Sequence, residues 1–275
     1  MAYFKHREYT GTNLTSINFI DDLAALITEV GGWTIDFFGT YGSYKRLHFH
    51  QGNAHYDMYG SSATINQLYT CTGYIPGNTP VNQPNTSNAH TCTTIATSGY
   101  WIMSTKGGIY WCFLAANTLM FTNWGCVFSI QDKIGVMEDG FGSSGGNAGD
   151  LGDAGWYSAP EFAQIWYNGK YSGTTAILGG LLTNFVSNDL SARGCNFYNA
   201  GLVPFPMLLM LCDLVDSTKK RPVGYLPGVY RAAGRDIYSI GDEIIIGADT
   251  YKIFPMNSNY IGYVNQGEYL FKLGS

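Results

Sequence analysis

The side chains best spaced for chemistry in this sequence are His48, His50, His55 and Asp57. Residues two apart on a strand point to the same face, so His48 and His50 would share one side of a strand. A tight turn at Gly52-Asn53 would bring His55 and Asp57 alongside on the partner strand. Imidazole and carboxylate donors gathered in this way suit a single transition-metal ion. The competing reading makes His48 and His50 the polar face of an alternating strand, continued by Arg46, whose positive charge would sit beside any bound cation. The sequence favours this second reading, and the expectation is no metal and no cofactor.

Two glycine-dense matches carry less. Gly140-x-Gly142-x-x-Gly145 has the spacing of a dinucleotide fingerprint, but more glycines follow it where a helix should begin, and that helix is what meets the pyrophosphate. Gly142-Ser143-Ser144-Gly145-Gly146 fits a nucleophile elbow, which an acid and then a histidine must follow in the chain; the last histidine is His90. Paired carboxylates for glycoside hydrolysis must stand about 5–10 Å apart in a cleft. Nothing singles out a pair among the 20 acids, several of which fall on turns (Asp139, Asp150, Asp153, Asp249). The reading is therefore of a protein without catalytic residues.

Composition narrows the class further. Charged residues make up 13% of the 275, about half the usual share, while the hydrophobic fraction of 45% is ordinary. Gly, Tyr, Asn, Ser and Thr fill the gap, a palette of strands and turns that excludes a disordered chain or a coiled coil. A net charge of −5 argues against capture of nucleic acid, and Lys219-Lys220-Arg221 reads as a solvated loop. The first residues lack the apolar core of a secretory signal, and no stretch approaches the roughly 18 apolar residues of a membrane span. The six cysteines have no C-x-x-C spacing and read as reduced core residues.

The elements that would position these residues are mostly strands. Ile20, Leu23, Ile27 and Val30 recur at helical steps, predicting one amphipathic helix over about 16–30, with Thr15 or Ser16 as N-cap, Gly31 past its end, and Asp21 and Asp22 suited to its dipole. Strands are expected at Trp33 to Phe38, Tyr44 to His50, Ala63 to Gly73, Thr91 to Thr97 and Asn123 to Ile130. The clearest hairpin joins Tyr100–Thr105 to Ile109–Ala115 through Lys106-Gly107-Gly108. Pro76 to Asn88 reads as an irregular loop, and 139–155 as a mobile Gly-rich loop. The run from Val203 to Val215 suits a buried strand, and 236–254 a C-terminal hairpin. Together these predict a mainly β, sandwich-like fold with the helix packed on it, in a single domain over 1–275.

Gly224-Tyr-Leu-Pro-Gly-Val-Tyr-Arg231 followed by Ile244-Ile-Ile-Gly-Ala-Asp-Thr-Tyr-Lys-Ile-Phe254 resembles the closing region of virion structural proteins of tailed bacteriophages. The helix leading into Gly31-Gly32-Trp33-Thr34-Ile35 is similar to their opening, and Tyr100-Trp101-Ile102 to a central strand. Position 248 is Ala where that motif has Gly, and 139–155 has no counterpart in it. The resemblance implies a non-enzymatic subunit of the tail, baseplate or neck, assembled in the host cytoplasm into the virion. Its partners would be copies of itself and other virion proteins, with no nucleic acid and no membrane span. The alternative is a receptor- or glycan-binding tail tip, fibre or capsid-decorating module that stacks aromatic loops on a host-surface glycan. Aromatic contacts in either role are expected from Tyr100, Trp101, Trp156, Tyr157, Tyr225 and Tyr230.

Overall fold

A computed structural model describes residues 5–10, 14–63, 65–87, 89–93, 97–115, 121–129, 140–144, 164–167, 170–171, 204–212, 220–232, 239, 241–255 and 268–274. The chain opens with strand β1 (Lys5–Thr10) and helix α1 (Ser16–Glu29). A meander follows: β2 (Thr34–Tyr41), β3 (Tyr44–Gln51), β4 (Ala54–Gly60), β5 (Ile65–Cys71) and β6 (His90–Thr93), each paired antiparallel to the next. The next six strands are β7 (Thr97–Ser104), β8 (Gly108–Ala115), β9 (Phe121–Ser129), β10 (Phe141–Ser144), β11 (Gln164–Tyr167) and β12 (Lys170–Tyr171). They form a second sheet in chain order, and β1 returns to pair with β7 at its edge. The third sheet takes β13 (Phe205–Cys212), β14 (Lys220–Ala232), β15 (Glu243–Ile246), β16 (Asp249–Pro255) and β17 (Glu268–Gly274), in the order β13-β14-β17-β16-β15. The fold is thus mainly β with one helix, as expected from the sequence.

The second sheet is the middle layer, and alternation along its strands shows why. Tyr100, Ile102, Ile109, Trp111 and Phe113 join one core with Phe19, Leu23 and Ile27 of α1 and with Leu47, Phe49, Tyr56, Met58 and Leu68 of the first sheet. Residues of opposite parity face the third sheet: Trp101 meets Phe254 edge-on at 5.4 Å, and Tyr110 meets Phe271 at 5.4 Å. Polar anchors pin the layers. Tyr56 donates to the Phe128 carbonyl (2.8 Å), while Thr105 and Tyr110 both donate to the Pro227 carbonyl (2.8 and 2.9 Å). A strand covered on both faces needs a continuous apolar run, and Tyr-Trp-Ile-Met and Ile-Tyr-Trp-Cys-Phe are such runs.

Helix α1 lies between the first two sheets. Phe19, Ile20, Leu23, Ala24, Leu26 and Ile27 are buried, a wider stripe than the four-residue periodicity suggests. Thr15 caps it in a reciprocal capping box with Asn18. The end differs from expectation: Val30 is the C-cap in an extended conformation, and the left-handed residue is Gly32 (φ 84°), not Gly31. Asp21 and Asp22 lie beyond the first turn, too far from the terminal N–H groups to serve the dipole. They are used laterally, Asp21 by Lys45 and Asp22 by the Tyr100 hydroxyl.

Three further expectations need revision. Phe141–Ser144, inside the stretch read as a mobile loop, is a strand between β9 and β11; Phe141 is buried in the core, and the Ser143 hydroxyl meets that of Thr70. Small residues let this strand pack closely, which glycine content alone does not distinguish from a loop. Residues 145–155 lie outside the described ones. Lys220 and Arg221 belong to β14, where pairing with Cys212 and Leu211 removes them from a loop. Strands β1 and β17 lack a legible pattern in the sequence, yet β1 pairs with β7 from Lys5 to Thr10 and β17 pairs with both β14 and β16.

Candidate functional site

Positions 48, 50, 55 and 57 come together because the turn between β3 and β4 is short. Gly52 takes a positive φ (58°) at the first of two turn residues, the geometry that matches strand twist in a two-residue hairpin. The register is thereby set, with His48 opposite Asp57 and His50 opposite His55, as the spacing predicts. The face they share is largely covered at its Arg46–His48 end. Arg46, His48 and Asp57 are buried, and β3 is covered on both sides at its centre. The face is polar, and the segment from Tyr74 to Gln83 covers its Arg46–His48 end, with the Tyr74 ring tilted 4.6 Å from that of His48. Gln83 ties this segment together through the backbone of Ile75 and Asn78.

The deepest part is an ion pair. Arg46 grips Asp57 with two donors, Nε to Oδ1 at 2.9 Å and Nη2 to Oδ2 at 2.6 Å, and sends Nη1 to the Asn78 carbonyl (2.7 Å). A bidentate guanidinium–carboxylate pair is strong and geometrically fixed. Asp57 Oδ2 also stands 3.0 Å from His48 Nδ1. As an acceptor already held by arginine, Asp57 takes this contact from the Nδ1–H of His48.

Sequence reasoning missed Asp36. Pairing counted back from the β2–β3 turn, where Tyr41 faces Tyr44, would set Asp36 opposite Phe49 on the core face. An extra residue between Ile35 and Phe37 breaks that register, so Phe37 pairs with His48 and Ile35 with Phe49. This bulge transfers Asp36 to the histidine face, a re-aiming for which bulges are known. Asp36 Oδ2 lies 2.8 Å from His50 Nδ1, 3.7 Å from His48 Nε2 and 3.7 Å from His55 Nδ1. His48 Nε2 and His55 Nδ1 are 3.2 Å apart, and the His50 and His55 rings stack at 4.6 Å. Four side chains from three strands thus converge around one carboxylate oxygen.

Burial decreases across the cluster, from a fully enclosed His48 to Asp36 (19% exposed) and His50 (25%), so one side opens to solvent. Burial, with His50 and His48 beside it, pushes the His55 imidazole down to about 4, leaving it neutral at pH 7. Cys71 faces His55 across β4 and β5, but burial pushes its thiol up to about 12, and it donates to the Gly73 carbonyl. It is an inert core residue. Cys112 and Cys126 are likewise buried and without disulfides.

The aromatic contact candidates divide. Tyr100 and Trp101 are buried within the chain, packed on Phe19 and Phe254, and have no face to offer a neighbour. Tyr225 and Tyr230 are half-buried on β14, Tyr230 edge-on to Tyr251. Trp156 and Tyr157 lie outside the described residues. Among the described residues no helix is long and apolar enough to cross a membrane. Compared with known proteins, the chain matches no family model and no curated sequence.

Proposed function

We propose that the chain is a structural subunit of a tailed-bacteriophage particle, in its tail, baseplate or neck, acting through contacts between copies and with other virion proteins and without catalysis. The segments that carry the resemblance support this by falling in one sheet: Gly224–Arg231 lies in β14, and Ile244–Phe254 spans the β15–β16 hairpin. The observation that carries the reading is the outer edge of that sheet. Among the described residues β15 pairs on one side only, with β16. Ile244 and Ile246 turn inward against Tyr251, Ile253 and Leu270, while Ile245 is 76% exposed. Solitary proteins protect such an edge with charge, proline or a covering loop; an open edge bearing an apolar residue is a template for strand pairing with another chain. A second copy of this chain is the occupant that repeated symmetric contacts would supply.

Quantitative mass spectrometry of purified particles tests this. The chain should be present at a fixed stoichiometry, and Ile245→Lys should reduce its incorporation without moving its denaturation midpoint. Recovery of the wild-type chain only as free protein in lysate would refute the reading.

A further inference from the structure

We propose that Asp36, His50 and His55 bind one first-row transition-metal dication, of which zinc is the type case, as a centre that ties β2, β3 and β4 together. A tetrahedral ion with bonds of about 2.0–2.1 Å holds its donors about 3.3 Å apart. Asp36 Oδ2 stands 2.8 Å from His50 Nδ1 and 3.7 Å from His55 Nδ1, separations that bracket that value. Asp36, His50 and His55 each offer an atom within 4.8 Å of the others. His48, 3.2 Å from His55 Nδ1 at its Nε2, walls the group on its buried side.

The donor chemistry selects the ion. Two imidazoles and one carboxylate suit zinc, copper, nickel or cobalt, whereas calcium and magnesium require six or more oxygens. The supporting residues are also present. A histidine ligand ordinarily gives its other ring proton to a carboxylate, which fixes tautomer and orientation. Asp57 holds His48, the buried wall of the group, in the same manner, and Arg46 fixes Asp57 in turn. Arg46 is therefore no obstacle to a cation, since its charge is spent on Asp57. Binding replaces the Nδ1 proton that His50 donates to Asp36 Oδ2 across 2.8 Å with the ion, leaving the Nδ1 atoms of His50 and His55 as ligands. The half-exposed side at His50 is the way in. Three protein donors leave one tetrahedral position toward the exposed side, where water would complete the shell.

The full chain, stripped with chelator and dialysed, would be titrated with Zn²⁺ against a chromophoric chelator and with Co²⁺ by visible absorption. One ion per chain and a tetrahedral Co²⁺ spectrum are expected. His50→Ala and Asp36→Asn, both at partly exposed positions, should weaken binding more than 10-fold with unchanged circular dichroism. No stoichiometric binding, an octahedral Co²⁺ spectrum, or affinity unchanged in His50→Ala would each overturn the proposal. Where a variant does not fold, the wild-type stoichiometry and spectrum decide alone. The measurement uses the isolated chain, so its outcome is separate from that of the virion reading.

Discussion

Replacing Arg46 with methionine removes the guanidinium while preserving most of the side chain's apolar volume. Asp57 is fully enclosed and receives two of its hydrogen bonds from Arg46, at 2.9 and 2.6 Å. Removing one partner of a buried pair leaves an uncompensated charge and costs about 3–5 kcal/mol. The lost bond to the Asn78 carbonyl adds about 1 kcal/mol and frees the covering segment. Set against a typical domain stability of about 5–15 kcal/mol, the variant should lose about a quarter or more of its total. The companion Arg46→Met/Asp57→Leu carries no stranded charge; what remains is mainly the His48 Nδ1–H left without an acceptor, about 1–3 kcal/mol. Urea denaturation of both variants, followed by circular dichroism in chelator, measures the two losses. The double variant should be the more stable of the two. A loss under about 1 kcal/mol in Arg46→Met, or a double variant less stable than the single, would refute a buried, charge-paired centre beneath the histidines.

Two further outcomes follow from the same geometry. Thr15→Ala removes one half of the capping box at the start of α1 and should cost about 1 kcal/mol in urea denaturation, while Thr15→Ser should cost less. In chelator, the unfolded chain takes up a proton on His55 near 6.5 and the folded chain only near 4. Between those values the unfolded state binds more protons, so stability is complete above pH 6.5 and declines as the pH falls toward 4. Denaturation midpoints across that range should fall for the wild type and fall less steeply for His55→Gln; parallel slopes would remove His55 from the account.

Much of the fold is legible because strand period and turn chemistry are local properties. The period-2 pattern of Leu47 and Phe49, with a glycine at the first position of a two-residue turn, sets β3 against β4 and so places His48 beside Asp57. The aromatic runs of β7 and β8 announce a hairpin, and their lack of alternation is the mark of a sheet covered on both faces. Strands β1 and β17 are different: each is held by partners far away in the chain, Ile102 and its neighbours for β1, β14 and β16 for β17. No local pattern records such partners, because β-propensity reflects the surface a strand packs on.

The sequence by itself determined a mainly β chain with one capped amphipathic helix, and it determined the pairing of two histidines with a third and an aspartate across one tight turn. Tertiary structure alone decided what those residues can do. The bulge in β2 moved Asp36 from the core face to the histidine face, and the segment from Tyr74 to Gln83 closed over Arg46 and His48. Both are long-range events. A register shift is fixed by the whole sheet, and burial by a loop some thirty residues away. Local spacing therefore shows which side chains share a strand face, while only the folded chain shows whether water or carboxylates meet them there.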